Sequence, residues 1–215
     1  MNIKRPIVTV IAGPNGAGKT SLQSLLRQAC LVNCNVLNID ALAIDLDTIP
    51  NDPLRYPIEL AKRTDKKFRE LCEKAIHERV DFAFECNLRE EQVKYLSLFD
   101  EANYEINLVY FWLDKIETSF NRVNYRVSKG GHFVGKESII RNYNEGLKNL
   151  DKYFDGWNNV YVIDNSMDVS ELKDKANLPL ILYINEGKVL YVSNEINETT
   201  LKSNFPTILK VWKKG

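Results

Sequence analysis

The sequence predicts an α/β fold in which helices cover both faces of a parallel sheet. Three observations support this prediction. Stretches rich in β-branched residues alternate with stretches of helical periodicity as far as residue 166. The first apolar stretch leads directly into a glycine-rich loop, and residues 106–113 form an apolar run that is typical of a strand covered on both sides. We therefore expect five parallel strands, with the functional site at their carboxyl ends.

The glycine-rich loop follows the first predicted strand, which covers residues 7–11. It matches the G-x-x-x-x-G-K-[ST] pattern at every fixed position and precedes leucines at helical spacing. In such loops, N–H groups surround phosphate oxygens, the lysine contacts the β- and γ-phosphates, and the hydroxyl residue binds Mg²⁺. We therefore predict a nucleoside triphosphate and Mg²⁺ as cofactors, with Lys19 in catalysis and Thr20 at the metal. The residues predicted to surround the triphosphate are Gly13, Pro14, Asn15, Gly16, Ala17, Gly18, Lys19, Thr20 and Ser21.

The composition is typical of a globular chain with one main domain. Of its 215 residues, 44% are hydrophobic and 27% are charged, which is enough apolar material for a core. The 29 basic and 29 acidic residues balance, which disfavours nucleic acid or an anionic membrane surface as a partner. No run reaches the roughly 18 apolar residues that a membrane span needs. We expect a cytoplasmic protein without a removable signal, whose four cysteines are reduced thiols.

The other predicted elements follow in alternation along the chain. Helical periodicity indicates helices over residues 54–79, 90–103 and 137–151, and a further helix around Val123. The predicted strands after the first one cover residues 35–40, 81–85, 106–113 and 160–163.

The end of the chain has a different pattern. Residues 180–185 and 189–193 predict two strands of a hairpin, with Gly187 supplying a positive φ in the turn between them. A short amphipathic helix is expected after the hairpin. We therefore divide the chain into a main domain over residues 1–176 and a C-terminal appendage over residues 177–215, to which no chemistry is assigned.

Acidic residues end several of the predicted strands, where the site of a parallel sheet is expected. Transfer of a phosphoryl group to a hydroxyl needs a carboxylate that accepts the proton and orients the oxygen. Asp40, at the end of the second strand, is predicted as this base and as a contact of the acceptor. Glu85, at the end of the third strand, is predicted to hold either the acceptor or a magnesium-bound water. Asp114 could instead cap the next helix.

A basic, glycine-rich segment follows the fourth strand and predicts a lid around residues 126–141. Arg122 and Arg126 lie four residues apart on one helical face, and Arg141 follows the glycines. Guanidinium groups stabilise the charge that spreads over a phosphoryl group in transfer. The spacing leaves open which of the three arginines act in catalysis. His132 is predicted to contact a substrate from the lid.

Taken together, these motifs resemble zeta toxin-type kinases. The similarity covers residues 7–166 and is carried by GPNGAGKTS, by NID ending in Asp40, by FAFECNL around Glu85, and by RVNYRVSKGGHFVGKESIIRNYNEGLKNL. It implies a P-loop kinase with an adenylate-kinase-like strand arrangement that uses ATP and Mg²⁺. Proven toxins of this family phosphorylate the 3′-hydroxyl of UDP-N-acetylglucosamine. The resemblance thus implies a small-molecule hydroxyl acceptor, such as a nucleotide sugar, and leaves open whether an antitoxin protein is a partner.

The resemblance also implies roles for individual residues. Asp40 would be the base, Glu85 would contact the acceptor, and Asn165 would lie near the nucleotide base. Arg126 and Arg141 would stabilise the transferred phosphate. The sequence departs from the family at Cys86-Asn87, where small hydroxyl residues are more usual.

Two other functions are compatible with these motifs. The first is a kinase acting on a nucleic-acid end, which the balanced charge disfavours. The second is an ATP-gated binding module, in which hydrolysis switches a partner contact and no acceptor is phosphorylated.

Overall fold

The computed structural model of the protein describes residues 5–45, 56–167 and 179–213. Across these three ranges, no helix is long and apolar enough to cross a membrane. The described strands form one mixed sheet of seven strands.

Five parallel strands form the larger part of this sheet, as predicted. They lie in the order β2-β3-β1-β4-β5, so the connections from β1 to β2 and from β3 to β4 each pass over one intervening strand. Their bounds are β1 (Ile7–Ala12), β2 (Val36–Asn38), β3 (Phe82–Cys86), β4 (Glu105–Trp112) and β5 (Asn159–Asp164).

The predicted hairpin is present and extends the same sheet. Its strands, β6 (Leu180–Asn185) and β7 (Lys188–Val192), run antiparallel, and β6 is hydrogen-bonded to β5. The sheet therefore has seven strands rather than the expected five. Gly187 has the predicted positive φ, 74°. The division predicted near residue 176 falls outside the described residues and stays a prediction.

The helices follow the predicted alternation with some shifts of their bounds. The stretch predicted as one helix over 90–103 forms two, and the short terminal helix is also two. The bounds are α1 (Gln23–Gln28), α2 (Ile39–Asp45), α3 (Tyr56–Glu78), α4 (Glu90–Val93), α5 (Leu96–Glu101), α6 (Ile116–Ser128), α7 (Lys136–Tyr153), α8 (Glu198–Asn204) and α9 (Pro206–Trp212).

Apolar clusters lie on both faces of the central strands. Along β4, Leu108 belongs to one cluster with Phe68 of α3 and Leu150 of α7, whereas Val109 belongs to a second cluster with Leu26 of α1. All five side chains are almost fully buried. Successive side chains of a strand point to opposite faces, so an apolar run in β4 is buried on both sides.

The C-terminal helices are joined to α7 by a buried carboxylate. Asp151 is only 7% exposed, and its two oxygens accept hydrogen bonds of 2.9 and 3.0 Å from the N–H of Thr207 and of 3.0 Å from the N–H of Ile208. These N–H groups lie in the first turn of α9, where no helical partner exists for them. Asp151 therefore caps α9 from a neighbouring helix.

We expect the Asp151→Ala substitution to lower the free energy of unfolding by about 1–3 kcal/mol, because two N–H groups lose their acceptor. Urea denaturation of the purified protein measures this change. Asp100→Ala, at an exposed position of α5, is the matched control and should change the stability by no more than about 0.5 kcal/mol. Equal stabilities of the two variants would show that the cap contributes nothing.

Candidate active site

The loop between β1 and α1 has the backbone conformation that its glycines predict. Gly13, Gly16 and Gly18 have φ values of 142°, 76° and 86°, which side chains with a Cβ rarely adopt. A Cβ on Gly13 would also lie 2.4 Å from the carbonyl oxygen of Phe111 in β4. Glycine is therefore required at Gly13 both by conformation and by the closeness of the neighbouring strand.

Amide side chains from distant parts of the chain hold this loop. The Nδ2 group of Asn165, after β5, donates to the carbonyl oxygen of Ala17 at 2.8 Å. The Nδ2 group of Asn142, on α7, donates to Oδ1 of Asn15 at 2.8 Å. In this structure Asn165 therefore contacts the loop itself, and the sheet and α7 together fix the loop conformation.

The ammonium group of Lys19 is folded back onto its own loop. It donates to the carbonyl oxygens of Gly13 at 2.7 Å and Pro14 at 3.1 Å, and to Oδ1 of Asn87 at 3.1 Å. Burial lowers the pKa of Lys19, while the nearby carboxylates of Asp40 and Glu85 act in the opposite direction. Both predicted acids therefore lie within electrostatic range of the lysine.

Glu85 lies at the end of β3 and is only 5% exposed. Its carboxylate accepts hydrogen bonds from the hydroxyl of Thr20, at 2.8 and 3.1 Å, and from Nε2 of Gln23 at 2.9 Å. Nδ2 of Asn38 also donates to it. A buried carboxylate is stable only when donors surround it, and here they come from the loop, from α1 and from β2. Glu85 thus faces the residue predicted to bind the metal.

Asp40 does not end a strand, contrary to the prediction. β2 ends at Asn38, and Asp40 lies exposed in the first turn of α2. The Oδ1 atom of Asn38 accepts a hydrogen bond of 2.9 Å from the N–H of Ala41, so Asn38 caps this helix. The cap explains why the strand ends two residues earlier than predicted and why a helix, which was not predicted, follows it.

A cavity of about 620 Å³ lies between α2, α3 and α4, and Asp40 is one of its lining residues. Its apolar part includes Phe68, and the hydroxyl of Tyr95 donates to the carboxylate of Asp65. Arg89 also lines it, with its Nε atom 3.3 Å from a carboxylate oxygen of the exposed Glu91. This volume lies within the range of small-molecule sites. The described lining residues include neither Glu85 nor His132.

The predicted lid connects α6 to α7. Nη2 of Arg126 donates to the carbonyl oxygen of His132 at 3.0 Å, so the arginine holds the lid backbone. Arg126 also lowers the pKa of Lys19, which places its charge near the loop. The side chains of His132 and Arg141 are exposed and form no hydrogen bond or ion pair within the described part of the chain.

Arg122 differs from the other two arginines because it contacts the phosphate-binding loop between β1 and α1. Its Nη1 atom donates to the carbonyl oxygen of Gly16 at 3.3 Å, and its Nη2 atom donates to the carbonyl oxygen of Met167. A Cβ on Gly16 would lie 3.0 Å from the Cβ of Arg122. The structure therefore separates a bracing arginine from the two exposed arginines of the lid.

Several polar residues of the site were missed by the sequence analysis. Gln23 and Asn38 surround Glu85, Asn87 contacts Lys19, and Arg89 lines the cavity with Asp40. In the sequence, only their positions in or near recognised motifs pointed to two of them. Asn38 lies in the NID motif, and Asn87 closely follows the FAFE motif.

The thiol of Cys86, next to Glu85, points into the core. It is 4% exposed, and burial raises its pKa to about 12. Burial raises the pKa of Cys72 to about 12 as well, whereas Cys30 is exposed. Cys86 is therefore a packed side chain, and the departure from the family at this position places no reactive group in the site.

Comparison with known proteins identifies the family of this chain. The sequence model of the Zeta toxin family matches residues 1–176. The chain belongs to the Zeta toxin family. An uncharacterized protein of Haemophilus influenzae is 24% identical to this family member over 132 residues, covering 61% of this chain and 88% of the relative.

Solved structures share the fold of this zeta toxin-family chain. A structure from the PezAT chromosomal toxin–antitoxin system of Streptococcus pneumoniae superimposes with a TM-score of 0.55 at 16% identity, covering 100% of this chain and 87% of that one. A structure of the AvrRxo1-ORF1:-ORF2 complex with ATP gives a TM-score of 0.63 at 14% identity, covering 96% and 65%. Family membership makes the protein an ATP-dependent kinase by class.

We expect iodoacetamide at pH 8 to modify Cys30 rapidly and to leave Cys72 and Cys86 unmodified in the folded protein. A thiol with a pKa of about 12 is almost entirely protonated at this pH, and burial also excludes the reagent. Peptide mass mapping after timed alkylation measures the three rates. Alkylation of Cys86 as fast as that of Cys30 would contradict the buried position, and urea-unfolded protein provides the control in which all sites react.

Proposed function

We propose that the protein transfers the γ-phosphoryl group of ATP to a hydroxyl of a small molecule bound in the cavity beside Asp40. One observation carries this proposal. Asp40 lines a cavity of small-molecule size, and its charge acts on Lys19 of the phosphate-binding loop. These two observations support a role for Asp40 as the base between the acceptor and the triphosphate.

The position of each side chain supports its proposed catalytic role. Asp40 is exposed in the first turn of α2, where its carboxylate is accessible to the hydroxyl of an acceptor and can accept its proton. Lys19 binds the β- and γ-phosphates through its ammonium group. Arg126 and Arg141 lie at the two ends of the lid and would close over the transferred phosphoryl group, excluding water.

The residues around Thr20 fit a magnesium ion. Mg²⁺ prefers oxygen ligands, and the Thr20 hydroxyl lies 2.8 Å from a carboxylate oxygen of Glu85. When bound, Mg²⁺ would neutralise charge on the β- and γ-phosphates. Thr20 would hold the ion directly, and Glu85 would orient one of its waters. These contacts favour the magnesium-bound water over the acceptor as the partner of Glu85.

The cavity also suggests the class of acceptor. Its apolar surface around Phe68 suits a ring, and the guanidinium of Arg89 suits an anionic group. A nucleotide sugar has both features, so UDP-N-acetylglucosamine is the first compound to test.

We also propose a cytoplasmic location and an antitoxin partner. PezAT, whose structure shares the fold, is a toxin–antitoxin system. ATP and nucleotide sugars are cytoplasmic compounds, so the reaction would take place there.

A screen of metabolite extracts tests the function directly. The protein is incubated with ATP, Mg²⁺ and a small-molecule extract, and also with UDP-N-acetylglucosamine alone. Mass spectrometry should detect ADP and one compound that has gained a single phosphate. Turnover of ATP without any phosphorylated compound would support the ATP-gated module instead.

Two substitutions separate binding from catalysis. Asp40→Asn should lower kcat by about 10²–10⁴-fold and change the Kd for MgATP by less than about threefold, because the base acts only on the acceptor. Lys19→Ala should weaken MgATP binding and remove turnover. Kinetics and calorimetry measure these parameters. Asp100→Asn, an exposed acid outside the cavity, is the control, and a fully active Asp40→Asn protein would refute the assignment of the base.

A further inference from the structure

The hydrogen bonds of Lys19 assign a role to Asn87 that neither the sequence motifs nor the comparisons provide. A lysine ammonium has three N–H donors. In this structure all three have acceptors, namely the carbonyl oxygens of Gly13 and Pro14 and the side-chain oxygen of Asn87. Only the third acceptor lies outside the phosphate-binding loop.

Binding of a triphosphate requires the ammonium group to exchange some of these acceptors. Contact with a β- and a γ-phosphate oxygen uses two donors, which leaves one. The carbonyl oxygens of Gly13 and Pro14 belong to the loop that would enclose the phosphates, whereas Asn87 approaches the ammonium group from outside this loop. The remaining donor can then stay on Asn87.

We propose that Asn87 is a positioning residue that keeps its hydrogen bond to Lys19 while the ammonium group binds the triphosphate. With one N–H held, the other two are directed at the phosphate oxygens. This inference rests on the proposed function only for the identity of the nucleotide. Its structural content, a retained contact between the two side chains, is independent of any acceptor.

The backbone around Asn87 is held firmly enough to serve this role. Asn87 is 3% exposed, and Leu88, which follows it, is fully buried with a φ of 57°. The carbonyl oxygen of Leu88 accepts a hydrogen bond of 2.8 Å from Nδ2 of Asn149 on α7. A non-glycine residue at positive φ is costly, so it persists only where the surrounding contacts impose it.

A glycine in α7 allows the helix to approach this segment closely. A Cβ on Gly146 would lie 3.0 Å from the carbonyl oxygen of Asn87 and 2.8 Å from the hydroxyl of Tyr110. Glycine inside a helix is unfavourable by about 1 kcal/mol relative to alanine. The close packing of α7 against Asn87 and Tyr110 offsets this cost at Gly146. Gly146 and Asn149 lie three residues apart, on the same face of α7.

α7 also contacts the phosphate-binding loop, one turn before Gly146. Asn142 donates to Asn15, four residues before Gly146. α7 therefore sets the distance between the phosphate-binding loop and Asn87. This distance determines whether the oxygen of Asn87 can reach the ammonium group of Lys19.

The test is the lysine ammonium resonance of Lys19 in ¹H–¹⁵N NMR of the full chain with Mg²⁺ and the non-hydrolysable analogue AMP-PNP. The resonance is assigned by its loss in Lys19→Arg. An ammonium group held by three acceptors exchanges its protons slowly enough to be observed. We expect the signal in the wild type, at least a fivefold broadening in Asn87→Ala, and recovery in Asn87→Asp, which keeps an oxygen at this position.

Measurements of kcat and of the Kd for AMP-PNP in two variants separate a positioning role of Asn87 from an effect on protein stability. Asn87→Ala should lower kcat about 10–100-fold and change the Kd for AMP-PNP by less than about threefold, because a misdirected donor affects the transition state more than binding. Asp151→Ala, which destabilises the fold at a distance from the site, should leave both the resonance and kcat unchanged.

An unchanged Lys19 resonance in nucleotide-bound Asn87→Ala would overturn the inference and leave the proposed function intact. Equal losses of kcat in Asn87→Ala and Asp151→Ala would also overturn it, since the effect would then be one of stability. Failure of the wild type to bind AMP-PNP would overturn the inference together with the proposed function. Normal resonances with no phosphorylated acceptor would refute the acceptor assignment alone.

Discussion

The arrangement of the site depends on the buried carboxylate of Glu85. A carboxylate that is 5% exposed must be surrounded by donors, because its desolvation is otherwise too costly. Its donors are Thr20, Gln23 and Asn38, which come from the loop, from α1 and from the end of β2. The first of these is also the predicted metal ligand. The side-chain nitrogen of Asn38 donates to Glu85, and its side-chain oxygen caps α2. The same network therefore sets the start of the helix that carries Asp40.

This network explains how two substrates can meet at one edge of the sheet. The phosphate-binding loop leaves the end of β1, and β3 lies beside β1 in the order β2-β3-β1-β4-β5. Asp40 follows β2, the next strand outward, and lines the cavity between α2, α3 and α4. The lid arrives from the opposite side, after β4. This strand order therefore places Asp40, which follows β2, and the segment that follows β4 on opposite sides of β1.

Local patterns in the sequence predicted the parts of the structure that local physics determines. The loop conformation follows from its glycines, and the double burial of β4 follows from its apolar run. The assignment of Asp40 to a strand end was wrong because Asn38, inside the stretch that was predicted as a strand, caps a helix instead. The place of the hairpin in the sheet could not be predicted, because its pairing with β5 is a tertiary contact. Asn87 and Arg89 were missed for the same reason.

The claim on which the account depends is that a triphosphate on the loop directs its terminal phosphate toward the cavity lined by Asp40. A crystal structure of the protein with AMP-PNP and Mn²⁺, with anomalous data for the metal, tests it most directly. The account predicts a metal peak beside the Thr20 hydroxyl, with Glu85 in its outer shell, and a γ-phosphate that faces the Asp40 carboxylate. A γ-phosphate directed away from Asp40, or a metal bound elsewhere, would contradict it.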